Sequence, residues 1–252
     1  MLEGMNRVAV VTGGSRGIGA ATARLAGQQG YAVCVNYLRN EHGARAVVQE
    51  IEAAGGRALA VQADVSVEAD VVRMFELVDA RLGRVDALVN NAGILERQTR
   101  VDAMDAGRLA RIFTANVTSC FLCSREAVRR MSTKYGGSGG SIVNVSSVSS
   151  RLGSPGEYVD YAASKGAVDT LTIGLSREVA GEGIRVNAVR PGYIRTDIHA
   201  SGGEPGRVER ISPSLPMGRG GEPEEVARAI LWLLSEAASY TTGTFIELAG
   251  GR

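Results

Sequence analysis

Tyr161 and Lys165 stand four residues apart in Tyr161-Ala162-Ala163-Ser164-Lys165, and on a helix that spacing puts both side chains on one face. A free phenol titrates near pH ~10, too high for acid–base work at neutral pH, and an ammonium group beside it favours the phenolate. Such a tyrosine can exchange a proton with a hydroxyl or carbonyl oxygen while hydride moves at the carbon. Ser146-Ser147 closes an apolar run shortly before it, and a serine hydroxyl can hold the same oxygen. Tyr158 has Ala162, not a lysine, four residues on. Tyr-x-x-x-Lys also arises by chance on ordinary helix faces, so the pair needs a context.

Hydride chemistry needs a carrier, and the signal for one lies near the start of the chain. The run Val8-Ala9-Val10-Val11-Thr12 stops at Gly13-Gly14-Ser15-Arg16-Gly17-Ile18-Gly19, and a helical pattern (Ala20, Ala21, Ala23, Leu25, Ala26) follows at once. Glycines at 13, 17 and 19 let the backbone approach a pyrophosphate and aim the free N–H groups of the helix at its charge. The spacing Gly-x-x-x-Gly-x-Gly differs from the commoner Gly-x-Gly-x-x-Gly. With 33 glycines in 252 residues, the turn gains its weight from the strand before it and the helix after it. Asn36, Tyr37 and Arg39 end the second strand-like run, where an NAD site usually places a carboxylate for the ribose 2′-hydroxyl. That acid is missing, and Arg16 and Arg39 could both reach a 2′-phosphate. NADP(H) is therefore preferred, with NAD(H) still accommodated, although two surface arginines are in themselves ordinary. Asp64, beside Val65, reads alone as a helix cap or turn, and Asn90-Asn91-Ala92-Gly93 reads equally well as a simple turn.

The elements that must position these groups alternate. Strands are predicted at 7–12, 31–36, 57–62, 86–90, 141–146, 184–190 and 244–248, and helices at 17–29, 41–54, 67–82, 106–133, 158–180 and 223–235. The alternation predicts an α/β fold, a Rossmann-type doubly wound parallel sheet of seven strands with helices on both faces. The strands are continuously apolar, as strands buried on both faces should be. Gly136–Gly140 is too short to separate domains, so residues 1–252 are expected to form a single domain. Hydrophobic content of 44% and charged content of 22% suit a globular chain. A formal net charge of +1 gives no electrostatic case for nucleic acid or an anionic membrane. Met1–Arg7 lacks a signal-peptide core, no apolar run approaches the ~18 residues of a membrane span, and three cysteines set up no disulfide framework. A cytoplasmic location is the expectation. Cys120-x-x-Cys123 lies in an apolar helical stretch without further ligands and reads as packed core thiols.

Thr12-Gly13-x-x-x-Gly17-x-Gly19, Asp64, Asn90-Asn91-Ala92-Gly93, Asn116, Ser147, Tyr161-x-x-x-Lys165 and Pro191-Gly192 together resemble the short-chain dehydrogenase/reductase family, in its compact single-domain branch. They follow the family's order and span nearly the whole chain. The resemblance implies an oxidoreductase interconverting a carbonyl and a secondary alcohol. It implies Tyr161 as general acid/base, with Lys165 favouring its phenolate and binding the nicotinamide ribose. Ser147 would orient the substrate oxygen and Asn116 would hold a water in a proton relay. Asp64 and the Val65 backbone would meet the adenine, Asn90 and Ala92 would lie near the adenosine ribose, Gly93 would also bind the cofactor, and Pro191, Gly192, Ile194 and Thr196 would flank the nicotinamide amide. Arg16 before Gly17 resembles NADP-preferring members. Ser147 and Tyr161 are one residue further apart than is usual in the family, which keeps Ser146 and Ser149 as alternatives. Ala249 stands where the family commonly has aspartate, at the subunit interface.

The glycine- and proline-rich stretch of about 193–222 has little periodicity and matches a substrate loop. Tyr193, His199, Tyr158, Glu157 and Arg151 are candidate pocket residues there and nearby. A 3-oxoacyl-carrier-protein reductase or a sugar 1-dehydrogenase of the same family is the alternative function, and a non-catalytic NADPH-binding sensor is the alternative of another class. Gly136–Gly140 and Gly181-Glu182-Gly183 lack the basic residues with which a carrier-protein reductase would dock an acidic carrier. The resemblance also implies a homotetramer joined through helices 106–133 and 158–180 and the C-terminal strand.

Overall fold

Seven short runs rich in valine, alanine and isoleucine form one parallel sheet in the order β3-β2-β1-β4-β5-β6-β7. The computed structural model describes residues 7–252; the reading of Met1–Asn6 lies outside them. The strands are β1 (Val8–Val11), β2 (Ala32–Tyr37), β3 (Arg57–Gln62), β4 (Val85–Asn90), β5 (Gly140–Val145), β6 (Ile184–Pro191) and β7 (Phe245–Leu248). Alternate residues of each strand feed opposite layers. Val8 and Val10 pack with Met74, Phe75 and Met131 on one face, whereas Ala9 and Val11 pack with Val47, Ile230 and Leu233 on the other. Both faces are buried over β1, β2, β4, β5 and β6, which is why those strand sequences run apolar without alternation, while the edge strands β3 and β7 are only partly covered.

Helices α1 (Gly17–Gln28), α2 (Glu41–Ala53), α3 (Glu68–Arg81) and α10 (Pro223–Leu234) lie within one or two residues of the expected spans. Local chemistry sets their starts. Asn40 accepts a hydrogen bond from Gly43 N–H at 3.0 Å, and α10 opens with Pro223 inside a Glu222/Glu225 capping box. The start of α1 differs, for Arg16 provides no side-chain cap.

Three segments depart from expectation. The helix expected over 106–133 is α4 (Ala106–Phe113), a π-helical turn at Thr114–Thr118 and α5 (Ser119–Met131). π-Turns sacrifice regular hydrogen bonding and gather at functional sites; this one carries Asn116. Between Ser147 and Tyr161 the chain forms a short α6 (Ser149–Leu152) and a turn in which Ser154 takes a positive φ of 46°, before α7 (Val159–Val179) begins. The stretch 193–222 is not wholly irregular, because it winds into α8 (Ile198–Ser201) and α9 (Arg207–Ile211).

Cys34, Cys120 and Cys123 are buried free thiols. Burial pushes all three up in pKa, Cys34 to about 12, so the nucleophilic thiolate is suppressed. Titration with a thiol-reactive chromophore is expected to label none of them in the native protein and all three in denaturant. Labelling before unfolding would contradict the packing. No described helix is long and apolar enough to cross a membrane.

Candidate active site

Chain order reverses between β1 and β4, and doubly wound sheets bind ligands at the carboxyl ends of their strands beside such a reversal. A cleft of about 1230 Å³ opens there. Gly13 and Gly17 hold positive φ of 62° and 53°, a conformation side chains resist. A Cβ on Gly17 would stand 3.1 Å from the Thr196 methyl, so Thr196 covers the turn. The start of α1 has no side-chain cap and borders the cleft at Gly17 and Ile18, and an uncapped helix start is the arrangement that receives a phosphate.

Asparagines hold this turn in place. Asn36 Oδ1 accepts from Gly13 N–H at 3.2 Å, while its Nδ2 donates to Ala63 O at 3.1 Å, linking the turn to the end of β3. Asn91, to which the sequence assigns no role of its own, donates from Nδ2 to Thr12 O at 2.9 Å and Gly13 O at 3.1 Å. Thr12 Oγ1 accepts from the Asn91 and Ala92 amides, both at 3.0 Å. Asn90 turns its side chain into the core toward Asn144 and Ser124, apart from the residues that line the cleft. Gly19 also stands behind the wall, because a Cβ there would lie 2.4 Å from Gly13 O.

The remaining cofactor-side candidates border the cleft: Ser15, Arg16, Ile18, Tyr37, Arg39, Asp64, Val65, Ala92, Gly93, Pro191, Gly192 and Ile194. Asp64 accepts from the Ser66 amide at 3.0 Å and so forms the turn that its sequence context suggested. Arg16 faces Asp197 at 3.9 Å, both exposed. Arg39 has no carboxylate partner among the described residues.

The reactive groups lie just past the end of β5, on the π-turn and on α7. Lys165, buried, donates from Nζ to Val145 O at 2.8 Å and stands 5.6 Å from the centre of the Tyr161 ring. Tyr161 and Ser147 line the cleft beside it. Ser147 Oγ accepts from the Ser149 amide at 3.1 Å, which leaves its proton to donate. Of the two alternatives, Ser146 commits its hydroxyl to Asp169 Oδ1 at 2.6 Å, and Ser149 borders the cleft as Ser147 does. Asn116 lies on the π-turn. Its side chain is fully buried, with Oδ1 accepting from Ile94 N–H at 2.7 Å and Nδ2 donating to Ile94 O and Ser164 Oγ, both at 3.1 Å. Its amide is spent on protein partners.

A wall from 193–211 closes the other end. Arg207 is nearly buried, pairs with Glu157 and Glu204, and spans the rings of Tyr158 and Tyr193 at 5.1 and 5.5 Å. Tyr158 donates to Gly202 O at 3.2 Å. Hydrogen bonds led by Arg210 hold the Glu204 carboxyl down to about 2, so this latch stays charged at neutral pH. His199 stacks on Tyr193 and faces Ile194 O through Nε2 at 3.0 Å; burial lowers its pKa, so the ring is neutral. Arg151, a candidate pocket residue, turns instead from the cleft to Glu247 at 3.2 Å.

A doubly wound sheet, a glycine cradle at its switch point and a Ser–Tyr–Lys cluster beside it define a nucleotide-dependent oxidoreductase fold. A family model described as enoyl-(acyl carrier protein) reductase matches residues 13–252. The uncharacterized oxidoreductase YgfF of Escherichia coli (strain K12) is 63% identical over 245 residues, covering 97% of this chain and 99% of that protein. The 3beta-hydroxysteroid dehydrogenase 1 of Eggerthella lenta is 42% identical over 246 residues, covering 97% and 93%. The solved structure of a short chain dehydrogenase from Burkholderia cenocepacia J2315 in complex with NADP superposes with a TM-score of 0.89 at 32% identity, covering 98% of both chains. The chain belongs to the short-chain dehydrogenase/reductase family and is an oxidoreductase.

Proposed function

We propose that this protein is an NADP(H)-dependent oxidoreductase that interconverts a carbonyl and a secondary alcohol, with Tyr161 as general acid/base. The observation that carries the reading is the meeting of Ser147, Tyr161 and Lys165 on one wall of a cleft whose other end is a glycine cradle. The positive-φ glycines and the uncapped α1 start fit a dinucleotide, which supplies the hydride when bound. Ser15, Ile18 and the backbone at Gly13 and Gly17 would hold its pyrophosphate, and Arg16 and Arg39 the 2′-phosphate.

In the reductive direction the Tyr161 hydroxyl gives its proton to the carbonyl oxygen, and Ser147 donates a hydrogen bond to that oxygen. Lys165, fixed by Val145 O, stabilises the phenolate that remains. Asn116 acts on the main chain, clamping Ile94 at the cleft wall. The residues assigned to the site form one single-domain unit, and assembly as a homotetramer is part of the same proposal.

NADPH consumption against β-keto esters, diketones, aldehydes and cyclic ketones, including steroid ketones, tests the reading. Turnover of at least one class supports it, and NADPH binding without turnover across the panel would favour the sensor alternative.

Cofactor choice gives a separate prediction. Removing an unpaired guanidinium from a phosphate contact costs ~1.5–3 kcal/mol, on the order of 10–100-fold. Arg39→Ala is therefore expected to raise KM for NADPH by about that factor and leave KM for NADH nearly unchanged. Equal losses with both cofactors would remove the 2′-phosphate assignment.

A further inference from the structure

Arg108 and Asp160 form an ion pair that the proposed chemistry does not use. Arg108 Nε donates to Asp160 Oδ2 at 2.7 Å and Nη2 to Oδ1 at 3.4 Å, with side-chain exposures of 10% and 0%. A third donor of the same guanidinium, Nη1, reaches Arg97 O at 2.7 Å. Arg108 lies on α4, immediately before the π-turn that carries Asn116. Asp160 lies in the first turn of α7, directly before Tyr161. Arg97 follows Ile94 and Leu95, which line the cleft. One planar side chain therefore joins three segments that each supply part of the site. A second link runs parallel to it, since Ser164 Oγ accepts from Asn116 and donates to Tyr161 O at 2.7 Å.

A buried charge pair is poor evidence of stabilisation, because desolvation offsets the attraction, and apolar replacements of similar volume are often equally stable. What the pair adds is direction. The guanidinium fork meets a carboxylate in few orientations, so α4 and α7 can neither slide nor rotate past each other without breaking it. We propose that Arg108 and Asp160 are positioning residues that set Tyr161 relative to the Asn116 turn and to the 94–97 wall. The proposal rests on the assignment of Tyr161 above.

Two variants test it, each followed by melting temperature, NADPH affinity, kcat and KM, and hydrogen exchange of peptides covering 94–98 and 158–165. The double variant Arg108→Met/Asp160→Leu removes both charges without leaving either one buried alone. The expected result is a melting temperature near wild type and an NADPH Kd within about twofold, with kcat lower by about tenfold or more. Faster exchange confined to the two peptides should accompany the loss. Wild-type kcat in the folded double variant would overturn the proposal. Should that variant fail to fold, Arg108→Lys decides, since it keeps the charge and loses the fork. A drop in kcat with local exchange at 158–165 supports the proposal, whereas unchanged kcat, or a loss shared equally by NADPH affinity and all peptides, overturns it. If wild type binds NADPH but turns nothing over, the functional reading fails on its own, and the exchange measurements still decide the positioning role.

Discussion

Tyr161→Phe is expected to lower kcat by about 10²–10⁴-fold, the range that one positioned proton donor contributes, while NADPH affinity stays within about twofold of wild type. The substitution removes a single oxygen. Its ring keeps the packing that places it 5.6 Å from the Lys165 ammonium, and Lys165 keeps its bond to Val145 O. Ser147 still presents its hydroxyl, anchored by the Ser149 amide, so the carbonyl is held but receives no proton. Equal losses in kcat and kcat/KM would identify an interaction made only in the transition state. Tyr158→Phe is the matched control. Its hydroxyl donates to Gly202 O, so its loss should act on the substrate wall through KM, not on the proton transfer. Side-by-side kinetics with NADPH check both, and wild-type kcat in Tyr161→Phe would remove Tyr161 as the acid.

Gly19→Ala carries the second large effect, on cofactor binding. A methyl group there would lie 2.4 Å from Gly13 O and 2.5 Å from Asn91 Nδ2, well inside van der Waals contact. Neither neighbour can yield freely. Asn91 Nδ2 is bonded to Thr12 O and Gly13 O, and Gly13 N–H is bonded to Asn36. Relief requires α1 to move off the turn or the Asn91 clamp to open, and both displace the N–H groups proposed to receive the pyrophosphate. Overpacking of this kind costs ~1–3 kcal/mol, which corresponds to NADPH binding weaker by about 10–100-fold if it falls on the bound geometry. Gly181→Ala meets no atom within 4 Å and should change neither binding nor melting temperature appreciably. NADPH fluorescence titration of the two variants is the check. Native affinity in Gly19→Ala would mean that the turn is not tightly packed against the helix.

Much of the site could be read from the chain because its logic is local. Strand, glycine turn and helix follow one another within residues 8–28, and the four-residue spacing of Tyr161 and Lys165 assigns both to one helix face wherever that helix lies. Continuous apolar runs announced a sheet buried on both sides, which is the sheet observed. Interrupting the long helix at Thr114–Thr118 was not announced, since a π-turn adds one residue without changing the residue types around it.

Choices between neighbours belonged to the tertiary structure. Asn90 and Asn91 are chemically identical, yet the pleat turns Asn90 toward Asn144 on β5 and leaves Asn91 to grip the glycine turn. Ser146 and Ser147 both border the cleft, yet the Ser146 hydroxyl donates to Asp169 while the Ser147 oxygen accepts from the Ser149 amide and keeps its proton to donate. Arg108 and Asp160 lie 52 residues apart, and no spacing rule pairs them. Sequence periodicity determines which face a residue occupies within its own element. Partners across elements are selected only when the sheet assembles, because desolvation compels each buried polar group to find whichever donor or acceptor the packing brings within reach.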